Sequence, residues 1–262
     1  VRRWKPYPVY KESGIERLGK IPEHWEVKRL RYACRINPTG STWVASEDSS
    51  AEVSFLPMEA IGEDGHLDLS ATQQIGAVRN GYTSFRDSDV IVAKITPCFE
   101  NGKGALCRGL VGGIGFGTTE LHVLRPLNGV FSSRFTFYLT KSHAFRNLGI
   151  SSMKGAAGQK RVTDDFVKDF RTGIPPLDEQ EIIANLIDRE ANKADALISK
   201  NERIVELLKE KRVSLISHVV TKGLNPDALL KESGVTWIGK IPQHWEVRKL
   251  FWSMESYVDY RG

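Results

Sequence analysis

The sequence of 262 residues is poor in cysteine and contains no long apolar run. Its three cysteines, Cys34, Cys98 and Cys107, are scattered and show no C-x-x-C spacing, which argues against a disulfide framework and against a zinc site. No window reaches the roughly 18 uninterrupted apolar residues of a membrane span, and the first residues lack the apolar core of a signal peptide. We therefore expect unpaired thiols in a cytoplasmic protein with no membrane partner.

Motifs of the common enzyme classes are also missing. The sequence contains no H-E-x-x-H, no G-x-S-x-G and no N/D-P-P-Y/F, and residues 37–39 lack the second proline and the aromatic residue of the last motif. The glycine-rich residues 109–117 do not match a phosphate-binding loop. A nuclease site could include Asp89, Glu100 and Lys103, but Glu-x-x-Lys is one residue longer than the usual Glu-x-Lys spacing. We expect a chain with no catalytic residue, metal or cofactor of its own.

Charge is unevenly distributed along the sequence, although the net charge of +5 is modest. Residues 79–161 contain 12 Lys and Arg against 4 Asp and Glu, whereas residues 36–78 contain 7 acidic residues and neither Lys nor Arg. This pattern favours a domain that presents one basic face to a polyanion such as nucleic acid. Chance clustering of solvated surface charge is the alternative.

A repeat brackets the chain. Residues 11–30 (KESGIERLGKIPEHWEVKRL) return at 231–250 as KESGVTWIGKIPQHWEVRKL, with 13 of 20 positions identical. The offset of 220 residues is too long for a solenoid, so it indicates duplication of a unit made of a domain and a linker. Each copy contains a His-Trp pair, at 24–25 and 244–245. A docking segment with a packed tryptophan is favoured over a catalytic histidine at these positions.

The residues 177–222 are predicted to form one long helix. Pro175-Pro176 precede it, Asp178 and Glu181 have the spacing of a capping box, and Gly223 marks the end. About 45 residues at roughly 1.5 Å each make a rod on the order of 65 Å, which a small domain cannot bury.

A heptad pattern runs along this helix and predicts a coiled-coil seam. Within the seam, a polar residue such as Asn201 commonly sets register and partner choice. A lone amphipathic helix packed on its own domain is the alternative. The predicted dimerisation residues are Ile183, Ile187, Leu197, Asn201, Ile204, Leu208 and Leu215.

Between the first repeat and the helix, the sequence predicts an α+β domain. Strand-like runs occur at residues 53–56, 90–95 and 121–124. Aromatic and aliphatic residues recur at helical spacing over residues 135–148, with Gly149 placed to end that helix. The aromatic side chains of this stripe are expected in the core.

The assembled features resemble the specificity subunits of type I restriction-modification enzymes along essentially the whole chain. The repeated E-S-G-x-x-x-x-G-x-I-P-x-H-W-E-V resembles the segment that opens each target-recognition domain in that family. Further motifs are similar to the family's in order: residues 89–97 (DVIVAKITP) with Gly102-Lys103, residues 115–120 (GFGTTE), residues 158–162 (GQKRV), and residues 174–177 (IPPL) with Glu179-Gln180.

The resemblance implies a non-catalytic subunit, with a mixed α+β target-recognition domain and a coiled-coil helix, that reads double-stranded DNA. It implies partners that carry the chemistry: a methyltransferase subunit using S-adenosylmethionine and a motor-nuclease subunit using ATP and Mg²⁺. Family members hold two recognition domains and two helices, so two copies of this chain could pair as a homodimer. The expected divisions are the repeat segment at 1–30, the recognition domain at 31–176, the helix at 177–222, and a second repeat with the start of another recognition domain at 223–262.

Six cations of the basic stretch and one amide are predicted to contact DNA. Cations on phosphates are expected to supply most of the affinity, and side chains that reach base edges supply sequence choice. Gln159 either contacts a base or caps a turn. Three alternatives remain: an inactive fragment of an interrupted specificity gene, a coiled-coil scaffold, and a self-sufficient DNA-modifying enzyme. The predicted DNA-binding residues are Arg79, Lys94, Lys103, Lys154, Gln159, Lys160 and Arg161.

Overall fold

A computed structural model describes residues 5–39, 48–156 and 158–250 of the chain, which divides into two compact units, Val1–Arg189 and Glu190–Gly262. The first unit mixes strands and helices, so the predicted α+β class is confirmed. Its strands are β1 (Tyr10–Glu12), β2 (Lys20–Pro22), β3 (Glu26–Arg29), β4 (Cys34–Ile36), β5 (Glu52–Leu56), β6 (Thr72–Gln74), β7 (Thr83–Arg86), β8 (Val90–Ala93), β9 (Gly104–Leu106), β10 (Ile114–Gly117), β11 (Leu121–Pro126) and β12 (Arg171–Ile174). Its helices are α1 (Ile75–Val78), α2 (Ser133–Lys141), α3 (His143–Ser151), α4 (Asp164–Asp169) and the first turns of α5 (Leu177–Lys222).

Two four-stranded sheets form the body of the first unit, in the orders β6-β5-β10-β7 and β4-β11-β8-β9. In the first sheet β10 pairs in parallel with β5 and antiparallel with β7. In the second sheet the apolar β8 lies between β11 and β9, and all four of its residues are buried. Continuous apolar strands of this kind are expected where both faces of a sheet are covered.

Strand β10 has glycine at position 115 because a larger residue would not fit there. A Cβ atom on this residue would lie 2.2 Å from the ring of Phe85, which is fully buried on the neighbouring strand β7. The missing side chain therefore makes room for an aromatic ring in the core between the sheets.

The helical stripe at 135–148 forms two helices, where the sequence predicted one. The break is at Ser142, whose backbone is extended (φ −63°, ψ 144°) and whose hydroxyl accepts a hydrogen bond from the backbone N–H of Phe145. Ser142 thus ends α2 and N-caps α3. Gly149 lies inside α3, where a Cβ would approach the ring of Phe99 within 2.3 Å, so its role is packing and it does not end the helix.

Cys34 and Cys107 are buried and Cys98 is partly exposed, and none of them forms a disulfide. Burial raises the pKa of the Cys34 thiol to about 12 and that of Cys107 well above its usual value. The expectation of unpaired thiols is confirmed.

Helix α5 has the predicted bounds, Leu177–Lys222. Asp178 and Glu181, however, do not form the predicted capping box. Asp178 lies inside the first turn, where an acidic side chain interacts favourably with the helix dipole. Glu181 turns away to bind Ser132 and Arg134. The buried Gln180 accepts the backbone N–H of Ser132 at 2.8 Å, which fixes the first turn to the domain.

The first copy of the repeat is anchored to the same helix turn. Strand β3 pairs antiparallel with β12, which immediately precedes α5. The carboxylate of Glu179 then receives hydrogen bonds from Tyr7, from the indole of Trp25 at 3.2 Å and from the imidazole of His24 at 2.7 Å. In the first copy, His24 and Trp25 therefore have the predicted docking role.

The second unit contains the remainder of α5 and the second copy of the repeat. Gly223, with φ +77°, ends the helix as predicted. The strands β13 (Leu230–Glu232) and β14 (Lys240–Pro242) form an antiparallel hairpin. Among the described residues, no helix combines the length and the apolar content that crossing a membrane requires.

Candidate nucleic-acid interface

A cleft of about 630 Å³ opens on the first unit, where loops from both sheets meet. One rim is the turn between α1 and β7, with Arg79, Asn80 and Tyr82. The cleft is also lined by Lys94 after β8 and by Thr119 before β11. A half-open cleft of this size, with polar groups around its edge, has the dimensions of a ligand site.

Apolar side chains and a polar network support the floor of the cleft. Phe116 is buried there beside polar Asn37, whose Oδ1 accepts the backbone N–H of Val123 at 2.8 Å. The Nδ2 of Asn37 lies 3.3 Å from Nδ1 of the buried His122, and the Nε2 of His122 lies 3.0 Å from the carbonyl oxygen of Val162. Desolvation lowers the pKa of His122. A neutral imidazole that donates from Nε2 and accepts at Nδ1 satisfies both contacts.

The basic edge of the cleft continues onto a neighbouring loop. Residues 160–162 run beside residues 94–96: the N–H of Thr96 donates to the carbonyl of Lys160, and that of Val162 donates to the carbonyl of Lys94. This pairing brings Lys94 next to the loop that carries the exposed side chains of Lys154, Gln159 and Lys160. Four predicted DNA-binding residues thus lie on one edge, and Arg79 lines the same cleft as Lys94.

Two of the predicted DNA-binding cations are already engaged within the domain. Arg161 donates to both carboxylate oxygens of Glu120, at 2.8 and 2.9 Å, and these hydrogen bonds lower the pKa of Glu120. The ammonium of Lys103 donates to the carbonyl of Met58 at 3.0 Å. Lys94 differs from both, because its ammonium forms no hydrogen bond or salt bridge with any residue that the structure describes.

The basic stretch as a whole is used partly for internal structure. Besides Arg161 and Lys103, at least four of its twelve cations bind groups of the domain: Arg125 binds Asp89, Arg134 binds Glu181 and Asp188, Lys141 binds the carbonyls of Glu63 and Gly102, and Arg146 binds the carbonyl of Glu100. Burial lowers the pKa of Lys141 to about 8. The sequence charge therefore overstates the charge that the domain presents to a ligand.

Asp89 and Lys103, two of the three residues considered for a nuclease site, have other partners. Both carboxylate oxygens of Asp89, which is 1% exposed, accept from the guanidinium of Arg125 at 2.7 Å. The guanidinium already neutralises this buried carboxylate, which disfavours a metal ion at the same oxygens. Within residues 5–39, 48–156 and 158–250, no cluster of three His, Cys, Asp or Glu side chains is placed to hold a metal.

The predicted dimerisation seam differs between its two ends. Ile183 and Ile187, in the first unit, are partly buried, whereas Leu197, Ile204 and Leu208 are 62%, 43% and 59% exposed. Asn201 and Leu215 are exposed as well. The dimerisation role of this seam stays a prediction, and its apolar side chains in the second unit are accessible to a partner.

Sequence reasoning missed several residues of the cleft. Asn80 and Tyr82 stand directly after Arg79, and the turn signal Asn80-Gly81 before a strand was a usable sign of an exposed loop tip. Asn37 was considered only against the methyltransferase motif, and His122 had no recognisable signal, because its partners are distant in the sequence.

Comparison with known proteins relates this geometry to one family. The model of the "type I restriction modification DNA specificity domain" matches residues 22–207, which include the cleft, its basic edge and the first part of α5.

Two Escherichia coli proteins are similar in sequence. The chain is 36% identical over 214 residues to the specificity subunit of the type I restriction enzyme EcoEI, and 36% identical over 217 residues to that of EcoAI. These matches cover 78% and 79% of this chain, but only 35% and 36% of the two relatives. The chain thus spans about a third of the length of either one.

Solved structures show the same fold. The HsdS subunit of Thermoanaerobacter tengcongensis aligns with a TM-score of 0.58 at 21% identity, over 81% of this chain and 53% of that one. A chain from a study of complex assembly and conformational transition in the type I R-M system aligns with a TM-score of 0.51 at 22% identity, over the same shares. At these identities the likeness concerns the fold alone.

Proposed function

The chain belongs to the type I restriction-modification DNA specificity family, and on that premise we propose that it recognises a DNA sequence on behalf of a type I complex. The observation that carries this proposal is the cleft with its basic edge, because it lies within the matched residues 22–207. The edge combines Lys94, which has no ion-pair partner in the described part of the chain, with the exposed Lys154 and Lys160.

These cations are suited to the DNA backbone. Phosphate contacts from Lys and Arg supply affinity and position a protein on the duplex, whereas base contacts supply sequence choice. Arg161 contributes less than the sequence suggested, since Glu120 already neutralises its guanidinium in a bidentate pair. Lys103 is a weaker candidate than Lys94, because a hydrogen bond to the carbonyl of Met58 already holds its ammonium within the domain.

In the proposed complex this chain recognises the DNA sequence, and its partner subunits catalyse the reactions. A methyltransferase subunit would carry S-adenosylmethionine, and a motor-nuclease subunit would carry ATP and Mg²⁺, so this chain needs no cofactor. The complex would act on double-stranded DNA in the cytoplasm. The match to a DNA specificity domain favours this function over the alternative of a coiled-coil scaffold.

The test is to express the chain with the methyltransferase subunit of the same system and to map methylated adenines across the host genome. We expect a split recognition motif that is absent when the methyltransferase is expressed without the chain. Methylation that is absent, or that shows no motif dependent on the chain, would contradict the proposal.

Two copies of the chain are proposed to pair through α5, because the apolar side chains of its seam are exposed in the second unit, among them Leu197, Ile204 and Leu208. A pair related by two-fold symmetry would read an inverted repeat, since the same domain meets each half of the target. A motif with two unlike halves would instead indicate a different recognition domain supplied by another chain.

The pairing is tested by the mass of the purified chain across micromolar concentrations. Leu208→Glu should shift the mass from dimer to monomer, because it places a charge in the seam. Lys209→Glu is the matched control, since the neighbouring side chain points away from that seam and its change should leave the dimer intact. A monomeric mass for the unaltered chain would contradict the homodimer.

A further inference from the structure

Asn80 occupies an unusual position on the rim of the cleft. Its side chain is exposed, lines the cleft and forms no hydrogen bond to any described residue. The backbone does not require asparagine there, because the described non-glycine residues with positive φ are Asn37 and Ser88. Asn80 therefore has neither a positive φ nor an internal hydrogen bond to explain it, and its amide is available to a ligand.

The neighbours of Asn80 give the rim the character of a site that reads bases. Arg79 lines the same cleft, and an adjacent arginine and asparagine are the side chains that bind guanine and adenine edges through two hydrogen bonds each. The ring of Tyr82 is 44% exposed and meets Phe55 edge-on, with 5.1 Å between ring centroids, which restrains the turn.

The part of the cleft lining that belongs to the other sheet has a different chemistry. Lys94 is a compact point charge on a flexible stem, which suits a phosphate better than the patterned edge of a base. Thr119 stands beside it on the short turn before β11. A duplex bound in the cleft would therefore meet a phosphate-binding group from one sheet and the exposed amide of Asn80 from the other.

We propose that the Arg79–Tyr82 turn is the base-reading element of the domain, and that Asn80 selects adenine at one position of the target by pairing with its N6 and N7 atoms. This inference rests on the proposed function and assigns a residue to it. The amide oxygen of Asn80 accepts from N6–H, and the amide nitrogen donates to N7.

The experiment compares variants of the chain expressed with the methyltransferase subunit, using adenine-methylation maps and competition binding to duplexes that differ at one base pair. Asn80→Ala should relax the motif at one position, with a roughly ten- to hundredfold loss of discrimination there. Asn80→Asp keeps the shape of the side chain but removes the donor to N7, so it should lose the adenine preference without a change in fold.

Two control variants separate base reading from general effects. Asn101→Ala alters an exposed asparagine that does not line the cleft and should leave the motif unchanged. Lys94→Gln should weaken binding to all sequences about equally and reduce its salt dependence, because it removes one phosphate contact.

The outcomes distinguish this inference from the function on which it rests. Suppose that the unaltered chain gives a motif, and that both Asn80 variants leave it unchanged or weaken it equally at every position. That result would overturn the inference about Asn80 and leave the proposed function standing. Absence of any motif with the unaltered chain would overturn the proposed function and the inference with it. Relaxation at a single position, seen with the Asn80 variants and not with Asn101→Ala, is the expected result.

Discussion

The two copies of the repeated segment, residues 11–30 and 231–250, fold into the same hairpin. Lys11 pairs with Ile21 in one copy and Lys231 with Ile241 in the other, and the flanking pairs match as well. In both copies the serine hydroxyl that follows the first strand accepts a backbone N–H two residues ahead at 3.1 Å. The hairpin therefore depends on contacts that are local to the segment.

The copies differ in what surrounds the hairpin. Residues 26–29 form β3 on β12, whereas residues 246–249 form no strand in the described structure. Leu30 is completely buried, and its counterpart Leu250 is 73% exposed. The comparison separates a locally determined hairpin from an anchor that requires the rest of a domain, namely β12 and the first turn of α5.

The largest effect is expected from shortening the last leucine of each copy. Leu30→Ala should lower the free energy of unfolding of the first unit by about 2–5 kcal/mol, because it leaves a cavity in the core. Leu250→Ala should change stability by less than about 0.5 kcal/mol, since the side chain is exposed. Denaturant unfolding of the full chain measures both. Equal losses would show that the second copy is anchored like the first.

The second largest loss of stability is expected from a change of Glu179, whose carboxylate accepts the hydrogen bonds that anchor the first copy. Glu179→Gln removes the charge that Tyr7, His24 and Trp25 bind and should destabilise the first unit by about 1–3 kcal/mol. Thermal unfolding measures the loss. Glu246→Gln in the second copy is the control, because that carboxylate binds only the exposed Arg248 among the described residues. A Glu179 variant as stable as the control would show that the anchor adds no stability.

A smaller difference in stability is expected when the two histidines of the repeat, His24 and His244, are replaced. His24→Ala should destabilise the first unit by about 0.5–1 kcal/mol, because the lost partner of Glu179 is half-exposed and partly replaced by water. His244→Ala should leave the free energy of unfolding unchanged, since the imidazole of His244 meets the ring of Trp245 edge-on and binds no carboxylate of the described residues. Denaturation curves of both variants, recorded side by side, provide the test. A destabilising His244→Ala would indicate a second anchor.

The smallest effect on stability is expected from a change of pH that protonates the carboxylate of Glu179. Burial alone would raise the pKa of Glu179, but hydrogen bonds from Tyr7, His24 and Trp25 outweigh burial and hold this pKa below 4.5. The stability from Glu179 is therefore present above pH 4.5 and is lost as the pH falls through the lower folded-state value. The difference in unfolding free energy between the unaltered chain and Glu179→Gln should shrink below that pH. A constant difference between about pH 3 and pH 7 would contradict this assignment.

Elements with strong local signals were predicted closely. Helix α5 has the bounds that its apolar periodicity and Gly223 indicated, and β8 and β11 occur where apolar runs were noted. The break at Ser142 was missed, because a serine within an apolar stripe is compatible with one continuous helix until the packing is known. In the cleft, Arg79 and Lys94 were predicted as ligand contacts, and Asn80 was not.

The sequence by itself determined the repeat, the long helix and the family, because each is recognised from short patterns of residues along the chain. The tertiary structure alone decided which cations remain available for DNA. Arg125, Arg134 and Arg161 look equivalent to Lys94 in the sequence, yet each meets a carboxylate at least 36 residues away. Such pairs form only when folding brings distant strands and helices together, so charge counted along a chain is an upper limit on charge presented to a ligand.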